Sequence, residues 1–179
     1  IKKALQKNGF DYVPVISLNF SGLKNEGDGW ELTLPMIRCG IAAVSYGDLL
    51  MLLSNQTRPY EKNKGESDRL VEKWSKFLTE SFKNGKYLSG RSVKNCMDKI
   101  ASEFESIPRD ITPRIRVGIV GEIYVKYSPL GNNGLESFLA SQGCEVMVPG
   151  LLDFLLYSMQ AGIDVYKLYG GSRTALEVR

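Results

Sequence analysis

The residues best suited to chemistry lie between Gly121 and Asn133. That segment reads Gly-Glu-Ile-Tyr-Val-Lys-Tyr-Ser-Pro-Leu-Gly-Asn-Asn. Glu122 and Lys126 supply charge, Tyr124 and Tyr127 supply hydroxyls, and Ser128, Asn132 and Asn133 supply neutral polar groups. Gly121 and Gly131 permit close approach of backbone to a ligand. A helix beginning just after the segment would present free N–H groups, which suit an anion. The same residue types also build ordinary turns and caps, so a ligand-lining role and a purely structural one both stand. The pattern is neither a GxGxxG turn nor a Walker loop, and no nucleotide is specified.

A second constellation is Arg58-Pro59-Tyr60-Glu61. Its arginine can clamp a carboxylate or phosphate, or simply form a surface ion pair where a helix ends. Asp48 stands in an otherwise apolar stretch, and a carboxylate there needs a partner. It would face a pocket, pair with Arg58 or cap a neighbouring helix. Cys39, Cys96 and Cys144 are widely spaced, with no Cys-x-x-Cys pair, as in a reduced, cytoplasmic protein. Histidine is absent, which argues against a zinc site or a Ser-His-Asp triad within the chain.

These residues need elements to position them. Residues 1–9 read as the end of a helix closed by Asn8-Gly9. Residues 13–19 are short, apolar and β-branched, and predict a strand that Pro14 confines to an edge or a first position. Residues 32–56 predict a helix apolar on nearly all sides, hence buried, with Gly40 and Gly47 on one side where a neighbour can come close. Ser67 is a fit N-cap for a helix carrying Leu70, Trp74, Phe77, Leu78 and Phe82, which Asn84-Gly85 ends. A further amphipathic helix over 93–105 turns Val93, Cys96, Met97, Ile100 and Phe104 inward. The run 115–125 predicts a strand buried on both faces. Asn133 with Glu136 resembles a capping box opening the next helix. A strand over 144–148 and a helix over 151–160 complete a βαβ unit. The expected fold is therefore α/β: a flavodoxin- or Rossmann-like parallel sheet, with residues 1–30 and 111–179 as the α/β lobe and 31–110 as an all-helical insertion. In such sheets ligands sit beyond the carboxyl ends of the strands, where the Gly121–Asn133 segment would lie.

Composition narrows the partners. The 179 residues are 43% apolar, and 23 Lys and Arg face 20 Asp and Glu. A formal charge of +3, with basic residues scattered among acidic ones, argues against nucleic acid. The longest apolar stretch, Met36 to Leu53, is broken by Arg38 and Asp48, short of the about 18 residues that span a bilayer. No membrane association is expected. The chain opens at Ile1 in a helical pattern and reads as a piece of a longer protein.

Several long motifs, in order, resemble a known family. They are the stretch from Val117 to Asn133, its continuation Val148-Pro149-Gly150-Leu151-Leu152-Asp153-Phe154, and the shorter Tyr46-Gly47-Asp48-Leu49-Leu50 and Arg58-Pro59-Tyr60-Glu61. Together they look like the acyl-CoA dehydratase activase-related proteins of the 2-hydroxyacyl-CoA dehydratase superfamily. The resemblance spans most of residues 13–160. It implies flavodoxin-like halves with helical insertions, a 4Fe-4S iron–sulfur cluster held by cysteines, and an ATPase activator module that drives an electron into that cluster. The electron triggers loss of water from a 2-hydroxyacyl-CoA. This chain lacks the ATPase phosphate loops and a Cys-Leu-Pro type motif, and its three cysteines fall outside the matched motifs. Cluster ligands are therefore expected outside residues 1–179.

On that basis the first expectation is a lobe of an iron–sulfur-dependent, ATP-coupled reductase or dehydratase system. Glu122 and Tyr127 are its candidate proton-handling, catalytic residues. Gly121, Tyr124, Ser128, Asn132, Asn133 and Arg58 are its candidate substrate-binding residues, facing an acyl-CoA. The alternative is a non-catalytic interaction domain that docks the ATPase activator module through its helices.

Overall fold

A computed structural model describes residues 2–13, 15 and 33–170. The chain divides into two compact units, one of residues 1–37 and 157–179, the other of residues 38–156. Helices dominate, and the only sheet among the described residues has two strands. In the first unit, α1 (Lys2–Lys7) is closed by Gly9 at a φ of 75°.

The second unit is built on α2 (Leu34–Thr57), of which residues 38–57 belong to it. Ala42, Tyr46, Leu50 and Ser54 are buried at four-residue spacing, so one stripe of α2 faces the core. Opposite it lie α3 (Glu66–Lys83) and α4 (Gly90–Glu105). Trp74 and Leu78 come from α3, and Cys96, Ile100 and Phe104 from α4. The spacing of these residues puts each set on one helical face, as their amphipathic sequences require.

A parallel β-α-β segment follows. Strand β1 (Arg116–Gly118) pairs with β2 (Glu145–Met147), Val117 opposite Val146, and the Ile119 N–H extends the ladder to the Met147 carbonyl at 2.9 Å. Three short helices connect the strands: α5 (Ile123–Tyr127), α6 (Pro129–Asn132) and α7 (Leu135–Ser141). Helix α8 (Leu151–Tyr169) leaves β2 and passes into the first unit at Tyr157. A small core of Ile119, Val146 and Val148 is covered by Leu139, Tyr127 and, from α2, Met51.

This architecture overturns the flavodoxin- or Rossmann-like expectation. The parallel βαβ unit is present, but the described residues hold a mostly helical chain with a two-stranded sheet rather than a sheet carrying a helical insertion. The run 115–125 is only a three-residue strand. Gly121, at a φ of 139°, turns the chain, and Ile123 onward is helical. Nor is the sheet buried on both faces, since Arg116 and Gly118 of β1 are exposed and Met147 of β2 is 57% exposed. The strand expected over 13–19 lies almost wholly outside the described residues.

Smaller expectations also shift. Gly40 and Gly47 admit no close neighbour, as a Cβ at either would meet nothing within 4 Å. The close approaches are at Gly131 and Gly150. The N-cap of α3 is Gly65, not Ser67, and that of α7 is Gly134, not Asn133. Helix α2 is long and apolar enough to cross a membrane by length and composition alone. Its buried stripe is spent on packing against α3 and α4.

Candidate functional site

The Gly121–Asn133 segment follows β1 at its carboxyl end, and Asn132 organises it. The Asn132 Nδ2 donates to the carbonyls of Val125 at 2.9 Å and Lys126 at 3.3 Å, closing the end of α5. Its Oδ1 accepts from the N–H groups of Gly134 at 3.0 Å and Leu135 at 3.2 Å, opening α7. One amide thus serves the free carbonyls of one short helix and the free amides of another. Ser128 caps α6, its hydroxyl accepting from the Gly131 N–H at 3.3 Å. Gly131 lies against the Tyr124 ring and carbonyl, where a Cβ would come within 2.9 Å of both. Asn133, at a φ of 54°, takes the left-handed turn that asparagine tolerates better than most residues.

Three stretches far apart in sequence meet beside this segment. The Tyr127 hydroxyl donates to the Pro149 carbonyl. Asp48 on α2 accepts from the N–H groups of Leu151 at 2.9 Å and Leu152 at 2.8 Å, capping α8 from another helix. Of the roles open to Asp48, the structure selects the cap. Gly150 is required between them, for a Cβ there would stand 2.8 Å from an Asp48 carboxylate oxygen. Burial, followed by the negative charges of Asp48 and Asp153, raises the Tyr127 pKa above the usual phenol value. Lys126 is buried, with its ammonium 5.2 Å from the centre of the Tyr127 ring.

The candidate residues divide by what they already hold. Tyr127, Ser128 and Asn132 spend their polar atoms inside the chain. Gly121, Glu122, Tyr124 and Asn133 are exposed. Glu122 is the residue before α5 and makes no side-chain cap. Its carboxylate has no partner among the described residues.

Arg58 is not joined to this group. Its guanidinium donates to Ser54 and Asp68, each at 2.8 Å, and to Asn55 at 3.3 Å, tying the end of α2 to α3. Glu61, from the same motif, is buried and accepts from the Gly65 and Ser67 N–H groups at the start of α3. Sequence reasoning missed that cap. The signal was a carboxylate a few residues before a helix, separated from it by a glycine turn.

The amino ends of the strands carry a second polar group that was also missed. The Tyr60 hydroxyl donates to a Glu145 oxygen at 2.6 Å, and the Arg116 Nε donates to the same oxygen at 3.2 Å. The Glu145 carboxylate pushes the Tyr60 pKa up. A cavity of about 690 Å³ opens beside them, edged also by Gln56, Arg109 and Ile111. Nothing in the local sequence pairs Tyr60 with a residue 85 positions away.

The cysteines do not form a cluster site. Cys39 on α2 and Cys144 just before β2 are half-buried, and Cys96 on α4 is buried. Burial pushes the Cys96 thiol up, away from the thiolate that a metal requires. No three Cys, Asp or Glu side chains converge as a metal site among the described residues. Set against family models, curated proteins and solved structures, the chain matches none.

Proposed function

We propose that this chain is one lobe of a 2-hydroxyacyl-CoA dehydratase/activase-related protein, working in an iron–sulfur-dependent, ATP-coupled reductase or dehydratase system in the cytoplasm. The observation that supports this reading is spatial. The motifs that carry the family resemblance are scattered along the chain, yet Asp48 from one grips Leu151 and Leu152 of another, while Tyr127 from a third grips Pro149. Residues that meet in this way form one structural centre. Glu122, beside that centre and without a partner among the described residues, is the group available to exchange a proton with an acyl-CoA. Tyr127 orients the segment through Pro149. The cluster would be held by cysteines elsewhere in the longer protein, and an ATPase activator module would be the redox partner.

The test uses the full-length protein with its activator. Glu122→Gln should lower turnover while leaving the fold and iron content unchanged, and unaltered turnover would remove Glu122 from the chemistry. A second reading, a non-catalytic domain that docks the activator, is favoured by the internal use of Tyr127, Ser128 and Asn132. Anaerobic purification separates the two. Iron and visible absorbance support the redox role, whereas a colourless, iron-free protein with every cysteine intact supports docking.

A further inference from the structure

A cavity of about 400 Å³ lies between α3 and α4, away from the β-α-β segment, lined by Lys73, Trp74, Phe77, Tyr87, Cys96 and Lys99. Its volume falls in the range of small-molecule sites. We propose that it binds a small aromatic carboxylate, with the ring among Trp74, Phe77 and Tyr87 and the carboxylate on Lys99.

The walls are aromatic and fixed. Phe77 meets Trp74 edge-on, with ring centres 5.3 Å apart and planes at 87°, and lies 5.5 Å from Tyr87. The Trp74 Nε1 donates to a Glu103 oxygen at 3.0 Å, which sets the indole plane. Tyr87 has a φ of 58°, a left-handed conformation that a bulky residue rarely adopts. The Tyr46 hydroxyl, donating to the Tyr87 carbonyl at 3.2 Å, helps to hold it there. Phe77 remains 42% exposed, so an apolar ring face is left open to a ligand. The floor is the buried Cys96, kept as the neutral thiol by its surroundings.

The charge at the rim selects the ligand. Aromatic cages often take cations, but this one already carries them. Lys73 lies 5.5 Å from the Trp74 ring centre and is neutralised by both Glu103 oxygens. Lys99 sits one helical turn after Cys96, on the same face of α4. It is exposed, and no carboxylate pairs with it among the described residues. No acidic residue lines the cavity. An ammonium ligand would be repelled, whereas a carboxylate completes an ion pair next to an apolar surface.

The experiment uses 2-naphthoate as probe on the full-length protein, by ligand-observed saturation-transfer NMR and calorimetric titration. 2-Naphthamide and 2-naphthylmethylammonium serve as neutral and cationic controls. We expect naphthoate to bind best and the ammonium worst. Lys99→Gln should weaken naphthoate about tenfold or more and bring it level with the amide, whereas Lys99→Arg should retain the preference. Phe77→Ala should abolish both, with helix content checked by circular dichroism. Lys99→Gln lies on the surface and gives a reading even if Phe77→Ala fails to fold. No naphthoate binding, equal binding of the ammonium, or a Lys99→Gln protein that binds as the wild type does would each overturn the site.

Discussion

Replacing Asp48 with alanine removes both acceptors from the first turn of α8. The Leu151 and Leu152 N–H groups, at 2.9 and 2.8 Å from the two carboxylate oxygens, would then lack partners in a half-buried place. Loss of a side-chain cap costs about 0.5–2 kcal/mol. A negative charge at a helix start contributes about 0.3–1 kcal/mol more. The expected destabilisation is therefore about 2 kcal/mol. Asp48→Asn keeps one oxygen acceptor but loses the charge and turns an amide NH2 toward the second N–H, so it should cost about 1 kcal/mol. Asp153→Ala is the control. It is an exposed acidic residue in the same turn, and its loss should cost about 0.5 kcal/mol through the dipole alone. Urea unfolding would measure the three, with a constant slope confirming that the midpoint reports stability. Hydrogen exchange at Leu151 and Leu152 should quicken in Asp48→Ala. If Asp48→Ala proved no worse than Asp153→Ala, or those amides kept their protection, the inter-helix cap would not contribute as argued.

Other expectations follow from the same geometry. Gly131→Ala should destabilise by about 1–3 kcal/mol, because the new methyl meets the Tyr124 carbonyl and ring and the backbone must move; urea midpoints check this. Glu61→Ala should cost about 2 kcal/mol, with Glu61→Gln intermediate, since both oxygens serve amides opening α3; chemical denaturation followed by far-UV circular dichroism would show it. Tyr46, Tyr60 and Tyr127 all have native pKa values above the unfolded value of about 10. Their contribution to stability is therefore complete below that pH and is lost as pH rises through the native values. Alkaline absorbance titration should reveal a late-ionising phase that Tyr46→Phe, Tyr60→Phe and Tyr127→Phe each reduce.

Much of the helical body was legible from sequence because amphipathic spacing is a local signal. Trp74 and Leu78, and then Cys96, Ile100 and Phe104, repeat at four residues and are buried as that spacing requires. Helix α2 ends at Thr57, just where the Arg58-Pro59 dipeptide breaks it. The sheet was over-read. Ile119 and Val120 extend an apolar run, but Gly118 and Gly121 interrupt it, and a run of β-branched residues does not disclose how many strands will flank it. Roles set by distant contacts were the least legible. Asp48 was recognisable as a carboxylate in need of a partner, but its partners lie more than 100 residues away. Asn132 looked like a ligand-facing amide because turn chemistry and ligand chemistry use the same side chain.

The low amphipathicity of α2 has its explanation in the same long-range contacts. A helix that packs on one neighbour shows one apolar stripe. Helix α2 answers to several. Ala42, Tyr46 and Leu50 enter the core shared with α3 and α4, whereas Met51 packs on Ile119, Val146 and Val148 beneath the strands. Asp48 reaches the start of α8, while Ser54 and Asn55 near its end hold the Arg58 guanidinium. These contacts fall at different positions around the helix, and Ile41 and Leu52 stay exposed, so apolar residues are spread round α2 and no single stripe emerges from the sequence. A two-stranded parallel sheet has little apolar surface of its own to bury, and the small core beneath β1 and β2 leans on Met51. The β-α-β segment that carries Glu122 is thus fastened to the helical body by Met51 and Asp48 of α2 and by the Tyr60 hydrogen bond to Glu145. Any substitution that loosens α2 should therefore reach the candidate site without touching it.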